Sequence, residues 1–318
     1  MIALLGPTPA TGYARIAIAA TVWGSIALLV RSTVAHPAVI VFWRVLFAAL
    51  AIGAYLALKN RLGELPALPR SMKLRVAGMG VLLTLNWVLF LTALTLVDVA
   101  VAVLLGYLGP VFVAVLNPIV SRRPFDRRIV VPLIAALAGT AIIVGPRHLT
   151  FADERQLLGA ACAIASSVTY AFLVVFVKRL LEGIPASTYM LGEYLVAAVV
   201  LLPAVLLLDG PVGAPEWAAL ATLGVVHTAF TGGLFLTGLR LVPADRAAIL
   251  TYAEPVSAVL FAALFLGESL TLSVLVGGVA VVAAGVMVAR LEPAGTSPVE
   301  GPPVPVTATD EPTSRQSS

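Results

Sequence analysis

Long apolar runs recur along the chain, separated by short polar gaps. Each run is about 20 residues long, the length that an α-helix needs to cross the hydrocarbon core of a bilayer. Backbone groups in lipid must bond within the segment, so these runs are predicted to be helices; the alternating pattern of a transmembrane barrel is absent from the sequence. The predicted spans are residues 14–31, 37–58, 74–96, 98–120, 129–146, 157–178, 187–208, 217–239, 243–266 and 271–290.

The composition supports a lipid bilayer as the solvent. Of the 318 residues, 60% are hydrophobic and 11% are charged, whereas soluble globular chains carry about 25% charged residues. The net charge is +4, but the basic residues lie in the gaps between spans, which is a topology signal and not a nucleic-acid-binding stripe. The single cysteine, Cys162, has no His or Cys neighbours at metal spacing. We therefore expect a bilayer as partner, with no nucleic acid and no metal.

The distribution of Lys and Arg predicts the orientation. With the N-terminus in the cytoplasm, 16 of the 20 basic residues fall in cytoplasmic segments and 3 in outer loops. The positive-inside rule then places both termini in the cytoplasm, in an inner (plasma) membrane of bacterial type. Residues 291–318 are rich in Pro, Thr, Ser and Glu. Such a segment buries too little apolar surface to fold, so we predict a disordered cytoplasmic tail.

An internal repeat organises the chain. The nine residues of 89–97 return at 234–242 with seven identities, at an offset of 145 that also pairs Tyr107 with Tyr252 and Pro110 with Pro255. Each half, residues 14–146 and 157–290, holds five spans, and an odd number makes the second half begin on the opposite side of the membrane. The predicted fold is therefore an all-α integral membrane protein of ten transmembrane helices in two inverted five-helix repeats. Secondary transporters use this arrangement and bind substrate near the midplane.

Four ionisable residues far from the ends of the predicted spans stand out as candidates: Arg44, Glu193, His227 and Glu254. A charged group there costs about 2.5–3.5 kcal/mol on insertion scales and usually faces the protein interior. By helix rise, Glu254 and His227 fall near the midplane, Arg44 about 10 Å from the outer face and Glu193 about 12 Å from the inner face. Three roles are open for Glu254. It is a proton-coupling carboxylate, the partner of a substrate ammonium, or a structural ion-pair partner of Arg44. Arg44 has three interpretations: a ligand of a substrate carboxylate, an interhelical contact, or a side chain that snorkels toward the outer face.

Polar and aromatic residues at similar depth complete the candidate substrate site. Asn86 lies near the midplane of the third span, where polar side chains often bond across helices. Four aromatic residues form repeat pairs that suit a pocket for an amino acid or an amphipathic molecule, with plain packing as the alternative. These residues are Trp23 with Tyr170 and Tyr107 with Tyr252. The other tryptophans, Trp43, Trp87 and Trp217, are predicted to face lipid or the interface.

The sequence resembles the drug/metabolite transporter superfamily, in particular its EamA-type ten-helix exporters. The resemblance spans residues 14–290 and rests on Trp23-Gly24, on Ala253-Glu254-Pro255 followed by Leu266-Gly267-Glu268, and on a glycine-rich final span. Ser121-Arg122-Arg123 departs from the pattern, because a Gly-Glu loop is common there. The resemblance implies export of amino acids, related small metabolites or drugs.

Other functional classes fit less well. The sequence has no Walker-type Gly-x-x-x-x-Gly-Lys-Ser/Thr loop, so an ATP-driven pump is not expected and no cofactor is predicted. An intramembrane enzyme acting on a lipid-linked substrate is the alternative, but it needs an acidic or histidine cluster at the interface, and Asp98, Asp126 and Asp153 are scattered. The expected partner is a small-molecule substrate, with protons as a candidate coupling ion and the oligomeric state left open.

Overall fold

A computed structural model describes residues 8–30, 32–145, 153–267 and 270–291. Within these residues, ten apolar helices are long enough to span a membrane. We number them α1 to α10: Pro9–Val30, Pro37–Leu58, Arg70–Leu96, Val101–Ser121, Arg127–Val144, Glu154–Leu180, Ala186–Leu207, Ala214–Leu239, Ala244–Leu266 and Leu272–Arg290. A short extra helix, Glu64–Ala67, lies between α2 and α3. The predicted disordered tail, residues 291–318, lies outside the described residues except for Leu291.

The predicted fold class is confirmed, and the predicted bounds differ mainly at polar helix ends. The helices α3 and α6 begin at Arg70 and Glu154, several residues before the predicted spans, and each contains 27 residues. The hydropathy pattern marks only the apolar stretch that crosses the hydrocarbon core. A helix continues into the headgroup region for as long as its backbone stays hydrogen-bonded.

Local sequence signals set several helix ends. The side chains of Thr8, Asp153 and Thr271 accept hydrogen bonds from backbone N–H groups in the first turns of α1, α6 and α10, which satisfies donors that the helix itself leaves unpaired. At the other end, Gly145 and Gly267 follow α5 and α9 with φ of +54° and +69°. Glycine adopts this left-handed conformation without steric cost, so it ends a helix readily.

Three of the spanning helices are interrupted. The α-helical geometry of α1 breaks between Trp23 and Ile26, that of α4 between Gly106 and Gly109, and that of α9 between Leu250 and Ala253. In α4 and α9 a proline follows the break, Pro110 and Pro255 respectively. Proline has no N–H to donate to the preceding turn, so it weakens the helix at this point.

The two halves pack as inverted repeats. Helix α3 packs against α6 as α8 packs against α1, and α7 against α3 as α2 against α8. Contacts between α2 and α7 and between α5 and α10 join corresponding helices of the two halves. Exchanging the two halves therefore converts each helix contact into another observed contact, or into itself for the pairs α2–α7 and α5–α10. The breaks of α4 and α9 therefore meet near the centre, where α9 contacts α4.

The outer surface of the helix bundle is strongly apolar. Leu58, Val199 and Val279 are 84%, 70% and 70% exposed, and many other large apolar side chains are also exposed. A water-soluble monomer does not present such a continuous apolar surface. Lipid chains are the solvent that this surface fits.

Candidate functional site

The breaks of α4 and α9 bring two repeat-related tyrosines together. Tyr107 and Tyr252 each lie at the break of their helix, and their rings stack with centroids 5.8 Å apart. The carboxyl group of Glu254, two residues after Tyr252, interacts with the Tyr107 side chain. A helix break thus places a carboxylate, a phenol and two aromatic faces at the contact between the halves.

Arg44 on α2 is held by two groups, one that contacts its Nε and one that lies against the face of its guanidinium. Its Nε donates to the Thr228 hydroxyl at 2.6 Å, and its Cζ lies 4.2 Å from the centroid of the Trp87 ring. A cation above an indole face is attracted by the ring quadrupole. Trp87 therefore faces the protein interior, and the prediction that it faces lipid or the interface is wrong.

Arg44 and Glu254 attract each other electrostatically without direct contact. The two groups are close enough for electrostatic attraction, yet the ion pairs among the described residues join other side chains, Arg61 with Glu64 and Asp126 with Arg128 and Arg246. The structural ion pair that was one of the sequence-based alternatives is not formed. The site therefore contains a basic and an acidic side chain that lie near each other but contact other protein groups, Thr228 and Trp87 for Arg44 and Tyr107 for Glu254.

Glu193 on α7 occupies a different environment. Its side chain is 5% exposed, and its Oε1 accepts a hydrogen bond of 2.6 Å from the Tyr189 hydroxyl, one helical turn earlier. The neighbouring Tyr194 points toward α8, where its hydroxyl lies 3.5 Å from the Thr228 carbonyl oxygen. Glu193 is thus held within its own helix, and Tyr194 extends toward the Arg44 site.

His227 and Trp23 connect α8 to the break of α1. The Trp23 Nε1 donates to the His227 carbonyl oxygen at 2.9 Å, and the His227 Nε2 lies 2.7 Å from the Ser25 hydroxyl. The His227 Nδ1 lies 3.3 Å from the Thr222 carbonyl oxygen. Both ring nitrogens therefore have protein partners, and the geometry assigns His227 a role in joining the two helices.

Asn86 is also engaged by a neighbouring helix. Its Nδ2 lies 2.6 Å from the Ser166 carbonyl oxygen and 3.0 Å from the Thr169 hydroxyl on α6. The side chain is 6% exposed, so these contacts satisfy the amide donors in a dry interface. This geometry favours the interhelical alternative for Asn86.

Tyr170 on α6 fills the position opposite the α4 break. Its ring lies so close to Gly109 that an added Cβ there would stand 2.6 Å from Tyr170 Cδ1. Gly109 is the repeat counterpart of Glu254, and this contact explains sterically why the first half has no carboxylate at that position. The Tyr170 hydroxyl lies 3.5 Å from that of Thr251, at the α9 break.

The site therefore has a centre and a periphery. Arg44, Tyr107, Tyr252 and Glu254 lie around the central breaks, while Asn86, Glu193 and His227 are held by neighbouring helices. Sequence reasoning missed two residues at the centre, Trp87 and Thr228. No group of three His, Cys, Asp or Glu side chains with metal-binding geometry occurs in the described part of the chain.

Comparison with known proteins decides the family. The profile of the EamA-like transporter family matches residues 10–145 and 157–290, one match for each half. The chain belongs to the EamA-like transporter family. Membership implies a small-molecule substrate and a multi-pass location in a bilayer, and it favours transport over the intramembrane-enzyme alternative.

Individual relatives support this assignment over most of the chain. An uncharacterized transporter of Archaeoglobus fulgidus is 31% identical over 285 residues, which cover 88% of this EamA-like transporter and 97% of the relative. The uncharacterized inner membrane transporter YicL of Salmonella typhimurium is 26% identical, covering 82% and 89% of the two chains. A crystal structure with 20% identity superposes with a TM-score of 0.75, over 86% of this chain and 95% of the other, which supports the fold.

Proposed function

We propose that this EamA-like transporter exports small zwitterionic metabolites of the amino-acid class by alternating access. The location would be the inner (plasma) membrane, with both termini in the cytoplasm. Related small metabolites and drugs with a similar charge pattern belong to the same proposal. The observation that carries it is that two ionisable side chains of opposite type, Arg44 on α2 and Glu254 beside the break of α9, lie close to each other without forming a direct ion pair.

A zwitterionic substrate can form an ion pair with each of these two side chains. The substrate carboxylate would bind the Arg44 guanidinium, since charge-assisted and bidentate contacts are the strongest hydrogen bonds available to an arginine. The substrate ammonium would bind the Glu254 carboxylate. The rings of Tyr107 and Tyr252, together with Trp87, offer apolar surface to the substrate side chain.

Glu254 also offers a route to proton coupling. A carboxylate that binds an ammonium on the cytoplasmic side can, after releasing it outside, take up a proton and carry it inward. Each cycle then exchanges one substrate for one proton, so an inward proton gradient drives export. The inverted repeats support alternation, because packing in one half has its counterpart in the other.

Transport in proteoliposomes tests the proposal. Purified protein is reconstituted, and the flux of labelled L-leucine, L-phenylalanine and L-threonine is measured with and without a pH gradient. We expect transport that accelerates with the gradient in the wild type and loses its gradient dependence in Glu254→Gln, which keeps the side-chain size but cannot ionise. Glu193→Gln is the matched control, because its carboxylate is held by Tyr189. Unchanged rate and gradient dependence in Glu254→Gln would exclude the coupling role.

A further inference from the structure

The middle of α8 is a π-helix. It covers Leu223–Phe230, between the α-helical parts Ala214–Thr222 and Thr231–Leu239. Two threonine hydroxyls donate to the carbonyl oxygen five residues earlier, Thr228 to Leu223 and Thr231 to Val226, both at 2.8 Å. π-Helical segments are rare and occur frequently at functional sites.

The repeat counterpart of this segment is an uninterrupted α-helix, α3. The sequence Gly80-Val-Leu-Leu-Thr84 on α3 matches Gly224-Val-Val-His-Thr228 on α8 at an offset of 144. Packing supports this register. A Cβ on Gly80 would stand 2.7 Å from the Glu193 carbonyl oxygen, and one on Gly224 would stand 2.8 Å from the carbonyl oxygen of Arg44, the counterpart of Glu193.

Beyond the π segment the offset changes. Leu89-Phe90-Leu91-Thr92 matches Leu234-Phe235-Leu236-Thr237 at an offset of 145. One extra residue therefore lies between Thr228 and Leu234 in the second half. A π-helix accommodates an extra residue because each hydrogen bond spans five residues instead of four. The π segment is thus an asymmetric feature of α8, added to an otherwise repeated helix.

Because of this asymmetry, the corresponding threonines of α3 and α8 form different hydrogen bonds. Thr84 donates to the carbonyl oxygen of Gly80, four residues earlier. Thr228 donates to Leu223 instead, and its oxygen accepts from Arg44 Nε at 2.6 Å. A hydroxyl has one donor and two acceptor sites. Because the donor is used within α8, the Thr228 oxygen faces Arg44 as an acceptor only.

Thr228 and Trp87 together fix the orientation of the guanidinium. Thr228 holds Nε, and Trp87 lies against the guanidinium face. Among the residues that the structure describes, none accepts a hydrogen bond from the two terminal nitrogens of Arg44. These nitrogens form the parallel fork that matches the two oxygens of a carboxylate.

We propose that the one-residue insertion in α8 makes Thr228 a positioning residue, which aligns Arg44 for the substrate carboxylate and sets a preference for carboxylate-bearing substrates over the corresponding amines. This inference rests on the proposed binding of a substrate carboxylate by Arg44. It adds the element that orients Arg44, and it assigns a function to the π segment.

Ligand-induced thermal stabilisation of the purified protein provides the test. The probes are L-leucine, L-phenylalanine and L-threonine, each compared with the amine that it gives on decarboxylation. In the wild type we expect each acid to bind at least tenfold more tightly than its amine. Thr228→Val removes the hydroxyl at nearly constant shape, so the apparent Kd of the acids should rise about tenfold. The Kd of the amines should stay within twofold, and Thr228→Ser should restore acid binding.

Thr231→Val is the matched control. Thr231 is fully buried, lies just after the π segment and makes the same kind of hydroxyl bond to a carbonyl five residues earlier, but it has no bond to Arg44. Its substitution should leave the preference for acids unchanged. If Thr228→Val and Thr231→Val weaken acids and amines alike, Thr228 is only structural and the inference is overturned.

Arg44→Gln distinguishes a failure of the positioning role of Thr228 from a failure of the proposed carboxylate site. If Arg44→Gln abolishes the preference for acids while Thr228→Val leaves it intact, the proposed function stands and the positioning role fails. If the wild type itself binds none of the acids more tightly than its amine, or Arg44→Gln retains the full preference, the carboxylate site fails and the positioning role fails with it.

Discussion

The Tyr252 hydroxyl donates a hydrogen bond of 2.7 Å to the backbone carbonyl oxygen of Tyr107. The two residues are repeat counterparts, 145 positions apart, and each lies at the break of its helix. Tyr107 follows the last residue of the first part of α4, where carbonyl groups lose their intrahelical partners. The side chain of one repeat thus satisfies the backbone of the other across the centre of the molecule.

Tyr252→Phe should therefore destabilise the protein. It removes the hydroxyl and leaves a buried carbonyl without this donor, at a cost of about 1–3 kcal/mol. Thermal unfolding in detergent measures the loss. Tyr107→Phe is the matched control, because it keeps the carbonyl and the ring stack but removes the hydroxyl near Glu254. We expect Tyr107→Phe to alter the pH dependence of transport, because Glu254 loses a hydrogen-bond partner, whereas Tyr252→Phe should leave that pH dependence unchanged. The same change of pH dependence in both variants would contradict this division of roles.

The proposed orientation predicts opposite accessibility for two loops. Ser32 lies in the loop between α1 and α2, and Glu182 in the loop between α6 and α7; both are exposed. In a Cys162→Ala background, a membrane-impermeant maleimide added to intact cells should label Ser32→Cys and spare Glu182→Cys. Cell lysis should make Glu182→Cys reactive. Labelling of Glu182→Cys alone in intact cells would invert the assigned topology.

Close packing of α5 on α10 depends on two glycines. An added Cβ on Gly277 would stand 2.4 Å from the Gly139 carbonyl oxygen, whereas one on Gly278 would meet Val256 Cγ1 at 3.6 Å, an ordinary contact. Gly277→Ala should force the backbones apart and destabilise the protein by about 1–3 kcal/mol. Gly278→Ala should leave the unfolding temperature nearly unchanged. An unchanged unfolding temperature in Gly277→Ala would show that α5 and α10 can move apart at little cost.

The repeat pattern predicted the architecture because it depends on many positions at once. The offset that pairs Tyr107 with Tyr252 spans two helices, so a chance match is improbable, and the structure places both residues at corresponding breaks. The ten spans followed from hydropathy for a similar reason. A bilayer imposes the same length and polarity on every crossing, whatever the tertiary contacts.

The candidate site was harder to predict, because hydropathy does not identify the inner face of a helix that is apolar all around. Trp87 on α3 was assigned to lipid or the interface for this reason, although it lies against Arg44. Thr228 escaped notice because its role depends on a one-residue change of register within α8. That signal was present in the sequence, as the shift of the repeat offset from 144 to 145.

The last prediction concerns pH and the ion pairs at the N-terminal ends of α5 and α9. Asp126, in the loop before α5, contacts the exposed Arg128 at 2.8 Å and the buried Arg246 at 3.2 Å. Hydrogen bonds from Arg128 first, and from Arg246, hold the pKa of Asp126 below its usual value of 3.8. A carboxyl group whose pKa is lowered by folding stabilises the protein above its unfolded pKa, and this stabilisation disappears as the pH falls through the folded pKa.

Stability contributed by Asp126 should therefore be constant near neutral pH and decline below about pH 4. Asp126→Asn keeps the cap on the Arg128 N–H but removes the charge beside Arg246, which is 2% exposed. We expect a loss of about 1–3 kcal/mol at pH 7, since a buried charge loses a charged partner. Arg128→Gln, at a side chain 47% exposed, should cost less than about 1 kcal/mol. Unfolding curves of the wild type and both variants at pH 7 and pH 3.5 measure these free energies. The difference in the free energy of unfolding between Asp126→Asn and the wild type should be smaller at pH 3.5 than at pH 7. A difference that does not depend on pH would exclude the ionised carboxylate of Asp126 as its source.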